Sequence, residues 1–255
     1  MRIFWVMAMV VCLAGTARAA PNSRLIDDLV AADRVLADLG VVDGFGHVSV
    51  RSDKDPNHYF MSRSLAPALV HREDILEYDL DSNPIGGARG QALFLERFIH
   101  GEIYKARPDV MAIVHSHSPA LIPFGATTVK LQPIYHMSSF LGVGVPVFEI
   151  RDVVPGSDML VRTPALGAAL AKVLGDRPVA LMRGHGDVVV GISIPQVVFR
   201  AYYSEMNARL QAGAMRLGPG PVTYLSAEEA AAAARTNDGV LARSWELWKR
   251  QARTR

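Results

Sequence analysis

Cysteine is nearly absent from this chain of 255 residues, and the single example, Cys12, lies in an apolar stretch near the amino terminus. An intrachain disulfide is therefore impossible, and a zinc site built from thiolates is excluded. An excess of one charge is also lacking, since 27 Lys and Arg residues oppose 25 Asp and Glu residues and the basic residues are scattered. We therefore expect no nucleic-acid partner. Half of the residues are hydrophobic, which is enough to bury a core without disulfides.

The apolar stretch at the amino terminus, residues 3–13, is shorter than the roughly 20 residues that a bilayer-spanning helix requires. Arg2 precedes this stretch, and Ala17-Arg18-Ala19 places small residues where a signal peptidase cleaves. We predict a signal peptide over residues 1–19 and a periplasmic or secreted protein, or a cytoplasmic one if the leader is not functional. No linker rich in Pro, Gly or Ser divides the remainder, so residues 20–255 are predicted to form a single domain.

Hydrophobic periodicity predicts strands in the middle of the chain, with helices before, between and after them. This order favours a mixed sheet covered by helices on both faces. A capping box of Ser226 and Glu229 marks the start of the last predicted helix. Helices are predicted at residues 23–39, 91–104, 163–174, 195–217 and 226–251, and strands at 46–51, 59–62, 75–80, 110–115, 146–150 and on both sides of His185.

Two histidines follow the apolar run at residues 110–114, in the order His115-Ser116-His117. Side chains alternate along a strand, so both imidazoles point to the same side of the sheet. Such a pair alone is equally compatible with ordinary histidines satisfied by hydrogen bonds. Further candidates are therefore needed before the pair indicates a metal site.

His185 and Glu96 are those candidates. His185 lies between two glycines in a turn that joins two predicted strands, where it could also merely cap a hairpin. Glu96 lies four residues before His100 in a segment with helical periodicity, so the two side chains face the same way. Three imidazole nitrogens and one carboxylate oxygen suit zinc, manganese or ferrous iron, whereas calcium and magnesium prefer oxygen ligands.

In order and spacing, these motifs resemble the class II aldolase/adducin family over nearly all of the chain after the leader. The resemblance implies that His115, His117 and His185 bind one divalent metal, Zn²⁺ or Mn²⁺, and that Glu96 ligates it or moves protons. It further implies a three-layer α/β/α fold with a mixed, largely antiparallel sheet, and a homotetramer with active sites between subunits. The motifs are Gly46-His47-Val48-Ser49-Val50-Arg51, residues 96–100, residues 103–110, residues 115–119 and His185-Gly186.

Departures from the sugar-phosphate aldolases of this family point to a different substrate. Those enzymes carry two serines just before the acid, where this chain has Phe94-Leu95. Replacing hydroxyls by large apolar side chains removes donors that phosphate needs. We therefore expect an aromatic carboxylic acid, and the residues around Arg63 and Arg97 resemble the branch that decarboxylates hydroxy-aromatic dicarboxylates.

The resemblance assigns roles to further residues. Tyr135 and His136 align with a catalytic tyrosine that related aldolases supply from the neighbouring subunit. Glu96 or His136 would protonate the substrate, while Arg63 would hold a second carboxylate unless it is a solvated turn residue.

The remaining predicted substrate contacts are Ser64, Arg97, His47 and His100, of which the two histidines could instead be structural. Two other functions stay open from the sequence alone. One is an aldolase or epimerase acting on a small sugar or hydroxy acid, and the other is a non-catalytic adducin-like module.

Overall fold

The computed structural model describes residues 22–88, 90–218 and 220–253, so the predicted signal peptide at residues 1–19 lies outside the described residues. A seven-stranded sheet forms the centre of the fold, with the strand order β3-β2-β1-β4-β7-β6-β5. Neighbouring strands are antiparallel except for the parallel pair β5–β6. The strands are β1 His47–Arg51, β2 His58–Ser62, β3 Ile75–Asp79, β4 Ala112–Ser116, β5 Val147–Phe148, β6 Val179–Met182 and β7 Gly186–Gly191.

Seven helices accompany the sheet in the described residues, and the predicted capping box of Ser226 and Glu229 is present at the start of one of them. Ser193 and Thr163 accept backbone N–H groups at the starts of two helices, and Pro follows each in the first turn, where its missing N–H is not needed. The helices are α1 Ser23–Asp38, α2 Arg97–Ala106, α3 Ile122–Ala126, α4 Pro164–Leu174, α5 Ile194–Arg216, α6 Ala227–Asp238 and α7 Leu241–Arg253.

Alternating side chains of the central strands feed two separate cores, one on each face of the sheet. In β4, for example, Ala112 and Val114 join the core beneath α1, α5 and α7, whereas Ile113 joins the core beneath α2 and α4. The result is the predicted three-layer α/β/α architecture with a mixed, largely antiparallel sheet. None of the helices in the described ranges is both long enough and apolar enough to cross a bilayer.

Three predicted elements differ from the structure. The helix predicted over residues 91–104 begins only at Arg97. The helix predicted over residues 226–251 is two helices, α6 and α7, because the chain turns at Gly239 and the Asn237 side chain donates to the carbonyl of His136. The strand predicted over residues 146–150 is only the two residues of β5. Glu149 ends it, since its side chain accepts the Arg151 N–H and starts a 3₁₀ turn.

Candidate active site

Pairing between β1 and β4 brings two histidines together at one edge of the α2-side core. His47 lies directly opposite His115 in the antiparallel register. Strand alternation points both side chains towards α2, and His117 follows on the same side just beyond the end of β4. The predicted convergence of His115 and His117 is therefore confirmed by the geometry of the sheet.

His185 reaches the same point from the tight turn between β6 and β7. The turn places Gly184 at φ 64°, a conformation that suits glycine. A Cβ atom on Gly186 would lie 2.0 Å from the carbonyl oxygen of Ser116, so only glycine allows β7 to approach β4 this closely. Glycine is therefore needed on both sides of His185, at 184 for the backbone conformation of the turn and at 186 for the close approach of the two strands.

Three imidazole nitrogens converge on one small space. The Nε2 atom of His117 lies 3.2 Å from Nε2 of His115 and 3.0 Å from Nε2 of His185. The Oε2 atom of Glu96 lies 3.5 Å from the His115 nitrogen and 3.3 Å from the His185 nitrogen. All four ligand atoms lie within 4.8 Å of one another. Three of the four residues are buried, and His117 is half-buried.

Backbone carbonyl groups determine which ring nitrogen of His115 and of His185 carries the proton. The Nδ1 atom of His115 lies 2.9 Å from the carbonyl oxygen of Asp187, and Nδ1 of His185 lies 2.8 Å from that of Met159. A carbonyl oxygen can only accept, so both Nδ1 atoms carry hydrogen in the neutral imidazole and both Nε2 atoms present lone pairs. Lone pairs at this separation repel unless a cation lies between them, and the residues therefore fit a divalent metal.

Glu96 is the residue immediately before α2, where the chain enters the helix. Its Oε1 atom accepts the backbone N–H of Val161 at 2.8 Å, which leaves Oε2 facing the histidines. Burial alone would raise the pKa of this carboxyl group, but the adjacent imidazoles of His115 and His185 hold that pKa far below its usual range. Glu96 is therefore ionised at neutral pH and complements a cation.

A cavity of about 540 Å³ opens beside the four ligands, and most of its wall is apolar. Phe45 stands 67% exposed at its mouth, with its ring centroid 6.1 Å from that of His117. No Lys or Arg lines the cavity among the residues that the structure describes. The apolar lining consists of Phe45, Leu65, Ala66, Phe94, Leu95 and Leu160, and the polar lining of His47, Ser64, Glu96, His115 and His117.

The predicted substrate contacts divide into those that reach the cavity and those that do not. Ser64 and His47 line it, and His100 lies behind His47 with Nε2 2.6 Å from Nδ1 of that residue. Arg63 is outside the lining, and its Nε donates to Asp74 at 2.7 Å. Arg97 is also outside, because its guanidinium donates to the backbone carbonyls of Ser82 and Phe94.

Tyr135 and His136 lie away from the cavity lining of their own chain. They begin the 3₁₀ segment at residues 136–143, which packs against α6, and the Tyr135 ring contacts that of Tyr203 at 6.2 Å between centroids. A role for this pair would therefore require the cavity of another subunit.

Sequence reasoning missed several residues that shape this site. Phe45 lies in Gly44-Phe45-Gly46, a pattern that could have indicated an exposed ring on a flexible turn. Met159 and Val161 left no signal in the sequence, because they act on His185 and Glu96 only through backbone groups. Leu160 between them lines the cavity, so this short segment touches both ligands and substrate space.

The model for the "Class II Aldolase and Adducin N-terminal domain" matches residues 27–212. The chain belongs to the class II aldolase and adducin family. It is 37% identical over 256 residues to the decarboxylase tropJ of Talaromyces stipitatus, with 92% of this chain and 96% of that protein covered. It is 32% identical over 187 residues to the 3,4-dihydroxyphthalate decarboxylase of Arthrobacter keyseri, with 68% and 71% covered.

A solved structure confirms the fold assignment. The L-fuculose 1-phosphate aldolase of Glaciozyma antarctica PI12 superposes with a TM-score of 0.74 at 24% identity, covering 90% of this chain and 88% of that one. At this identity the likeness speaks for the fold only. The family match, the named decarboxylase relatives and the four converging side chains make this chain an enzyme of the lyase class.

Proposed function

We propose that this enzyme is a divalent-metal-dependent decarboxylase of hydroxy-aromatic carboxylic acids. One observation carries the proposal: three imidazole lone pairs and the Glu96 carboxylate converge beside a cavity with apolar walls. Relatives named as decarboxylases support it, including one named for a dihydroxyphthalate. The chain retains all four candidate ligands, which argues against a non-catalytic module.

The metal would be held by His115, His117 and His185, with Glu96 as the oxygen ligand. When bound, a divalent metal supplies a Lewis acid that stabilises negative charge on a substrate oxygen next to a breaking carbon–carbon bond. Zn²⁺ and Mn²⁺ both accept three nitrogens and one oxygen, so we propose one of these two. Both require neutral imidazoles, which the carbonyl groups of Asp187 and Met159 favour by holding the Nδ1 protons.

The cavity wall would bind and orient the ring of the substrate. Phe94 and Phe45 can contact an aromatic ring on its face or edge, and Leu160 helps to exclude water from the reacting carbon. Sugar phosphates fit poorly, because the wall offers the Ser64 hydroxyl and His47 but no described cation for a phosphate group. The relatives named as decarboxylases also favour this function over an aldolase or epimerase acting on a small sugar or hydroxy acid.

Proton movement is assigned to Glu96. In its ionised form this carboxylate can accept the proton of the substrate hydroxyl and deliver it to the ring carbon that bears the carboxylate. The bond to that carboxylate then breaks, its electron pair returns to the ring oxygen, and carbon dioxide leaves. A proton from solvent restores the hydroxyl of the product.

Assembly and location complete the proposal. We propose a homotetramer in which Tyr135 and His136 reach the cavity of a neighbouring subunit, where His136 offers a second route for the proton. We also propose that residues 1–19 direct export to the periplasm or medium.

A screen for carbon dioxide release tests the proposed function. Purified enzyme would be analysed for bound metal, reloaded with Zn²⁺ or Mn²⁺, and assayed on aromatic acids that carry a hydroxyl next to the carboxylate. We expect carbon dioxide release from at least one acid, loss of that activity with a chelator, and no activity in His117→Ala. Aldehyde release from sugar phosphates without decarboxylation of any aromatic acid would contradict the proposal.

A further inference from the structure

Four buried side chains form a hydrogen-bonded row from the cavity wall into the space between β1 and α2. Nδ1 of His47 lies 2.6 Å from Nε2 of His100, and Nδ1 of His100 lies 2.6 Å from Oγ of Ser49. That oxygen lies 2.9 Å from the hydroxyl of Tyr104. We call these residues the His47–Tyr104 row. Strand alternation explains its start, since His47 and Ser49 are two residues apart and face α2 together.

Hydrogen bonds can run along this row in two directions. If His47 donates to His100, then His100 donates to Ser49, and the contact between the Ser49 and Tyr104 hydroxyls uses only one of their two hydrogens, so the other is left over. Ser49 is fully buried, and its hydroxyl has no further acceptor among the described residues. Tyr104 is 1% exposed, and its hydroxyl has no other hydrogen-bond partner among the described residues. A buried donor without an acceptor is costly, so this direction is disfavoured.

In the opposite direction every hydrogen between the four side chains has an acceptor, and the one remaining hydrogen lies at the cavity end of the row. Tyr104 donates to Ser49, Ser49 donates to Nδ1 of His100, and the Nε2–H of His100 donates to Nδ1 of His47. Neutral His47 must then carry its own hydrogen on Nε2. This Nε2 atom has no protein partner among the described residues, and the ring lines the cavity.

We propose that Tyr104, acting through Ser49 and His100, holds His47 in the Nε2–H tautomer and so makes His47 a hydrogen-bond donor to an anionic oxygen of the bound substrate. His47 contacts the substrate, whereas Tyr104, Ser49 and His100 are positioning residues. The part of this inference that concerns substrate rests on the proposed function. The tautomer itself follows from the hydrogen bonds alone.

The surroundings keep the row neutral and fixed in place. The His47 ring packs against Phe94 at 4.4 Å and His115 at 5.1 Å between centroids, which restricts its rotation. Burial lowers the pKa of His100 to about 3, and burial raises the pKa of the Tyr104 hydroxyl. The His47–Tyr104 row therefore remains uncharged and acts by orienting the Nε2–H group of His47.

Nitrogen NMR of the zinc-loaded enzyme, with ¹⁵N-labelled histidine, tests the tautomer directly. His47→Gln and His100→Gln would assign the signals. We expect His47 and His100 each to carry hydrogen on Nε2 and none on Nδ1. Hydrogen on Nδ1 of His47 would overturn the proposal, whatever the substrate of the enzyme is.

A double-mutant cycle tests the consequence for binding. The probe is 2-hydroxybenzoate, titrated into the zinc-loaded enzyme by calorimetry. Ser49→Ala interrupts the row, and we expect it to weaken binding about tenfold in the otherwise unchanged enzyme. In His47→Gln the amide can donate without help from the row, so adding Ser49→Ala should leave the affinity of that variant unchanged.

If Ser49→Ala weakens binding equally in the unchanged enzyme and in His47→Gln, Ser49 has only a structural role, and the proposal would fail. If the unchanged enzyme binds no hydroxy-aromatic acid while the NMR pattern is as expected, the proposed function fails and the tautomer assignment stands. If Ser49→Ala does not fold, the NMR measurement on the unchanged enzyme still decides the question.

Discussion

At the residue scale, the convergence of the four candidate metal ligands was predictable and their surroundings were not. His115, His117, His185 and Glu96 are polar residues in apolar or glycine-flanked segments, and the structure brings their ligand atoms together. The acceptors that orient two of these imidazoles are backbone carbonyls of Asp187 and Met159, which any residue type would supply. Backbone groups leave no signature in the sequence, so these two contacts could be found only from the structure.

Replacing Glu96 by Gln tests its part in proton transfer. The amide keeps an oxygen for the N–H of Val161, so the fold should be retained along with much of the metal. The charge and the proton-accepting oxygen are lost, and we expect kcat to fall by about 10²–10⁴-fold, the range for general acid–base groups. Carbon dioxide release, metal content and circular dichroism are the measurements.

Glu102→Gln is the matched control for this change. Glu102 lies on the same helix, pairs with Lys105 and lies outside the cavity lining. Its kcat should equal that of the unchanged enzyme. Unaltered turnover in Glu96→Gln would remove Glu96 from the mechanism.

The buried carboxyl group of Asp33 predicts that the stability of the protein depends on pH. Asp33 is 1% exposed on α1, and apart from a contact with the backbone of Val48 its carboxylate oxygens have no hydrogen-bond partner among the described residues. Burial raises the pKa of this group well above its usual value in the folded state. A raised folded-state pKa favours the folded protein at low pH, and this contribution is lost as pH rises from about 4 through the folded-state pKa.

Asp33→Asn removes the titration and keeps the shape of the side chain. At pH 8 we expect it to raise the melting temperature by about 2–4 °C or more, the shift that roughly 1 kcal/mol produces in a domain of this size. The difference in melting temperature between Asp33→Asn and the unchanged protein should become smaller as pH falls towards 4. A difference that is constant across this range would contradict the assignment.

At the element scale, the position of the site follows from register and from where α2 begins. His47 opposes His115 because β1 and β4 pair in one register, and a shift by one residue would send His47 to the other face. Periodicity predicted the β1 and β4 strands, but it cannot specify their pairing. It also placed the start of α2 too early, since residues 91–96 precede the helix and contribute Phe94 and Leu95 to the cavity instead.

The segment from Met159 to Val161 is a second element that sequence patterns did not reveal. Met159 has φ 74°, a left-handed conformation that costs a residue with a Cβ atom about 1–2 kcal/mol. Its carbonyl accepts Nδ1–H of His185 at 2.8 Å, so the strained backbone orients a ligand. Functional geometry here is obtained at the expense of local stability.

Met159→Gly and Met159→Ala together test this strain. Both variants lose the side chain, but only glycine adopts the left-handed conformation freely. We therefore expect Met159→Gly to be more stable than Met159→Ala by about 1 kcal/mol, measured by chemical denaturation. Gly213 on α5 is the control, because nothing lies within 4 Å of a Cβ added there and Gly213→Ala should stabilise the helix. Equal stability of the two Met159 variants would show that the backbone at Met159 is not strained.

At the scale of the whole molecule, Tyr135 and His136 lie outside the cavity of their own chain, so their proposed role requires sites shared between subunits. A mixing experiment tests this sharing. His117→Ala lacks a metal ligand, and the double variant Tyr135→Phe with His136→Gln lacks the residues proposed to act in the neighbouring cavity. His117→Ala should be inactive alone, and the double variant should be much less active than the unchanged enzyme.

When the two variants are unfolded and refolded together, some sites combine intact parts from both. Random mixing should restore about a quarter of the activity if each site draws on two subunits. Mixed oligomers that form and stay inactive would show that the two sets of residues do not cooperate across subunits. Light scattering would establish that mixed oligomers are present.

The contact at Gly186 has a consequence for the evolutionary history of this fold. A side chain there would force β7 away from β4 beside the ligand pair, because its Cβ would lie 2.0 Å from the Ser116 oxygen. The cavity wall has no such constraint, so descendants can change Phe94 or Leu95 and acquire new substrates. Mutational drift should therefore spare this glycine while it remodels the wall, and a deep mutational scan should find position 186 among the least tolerant in the chain.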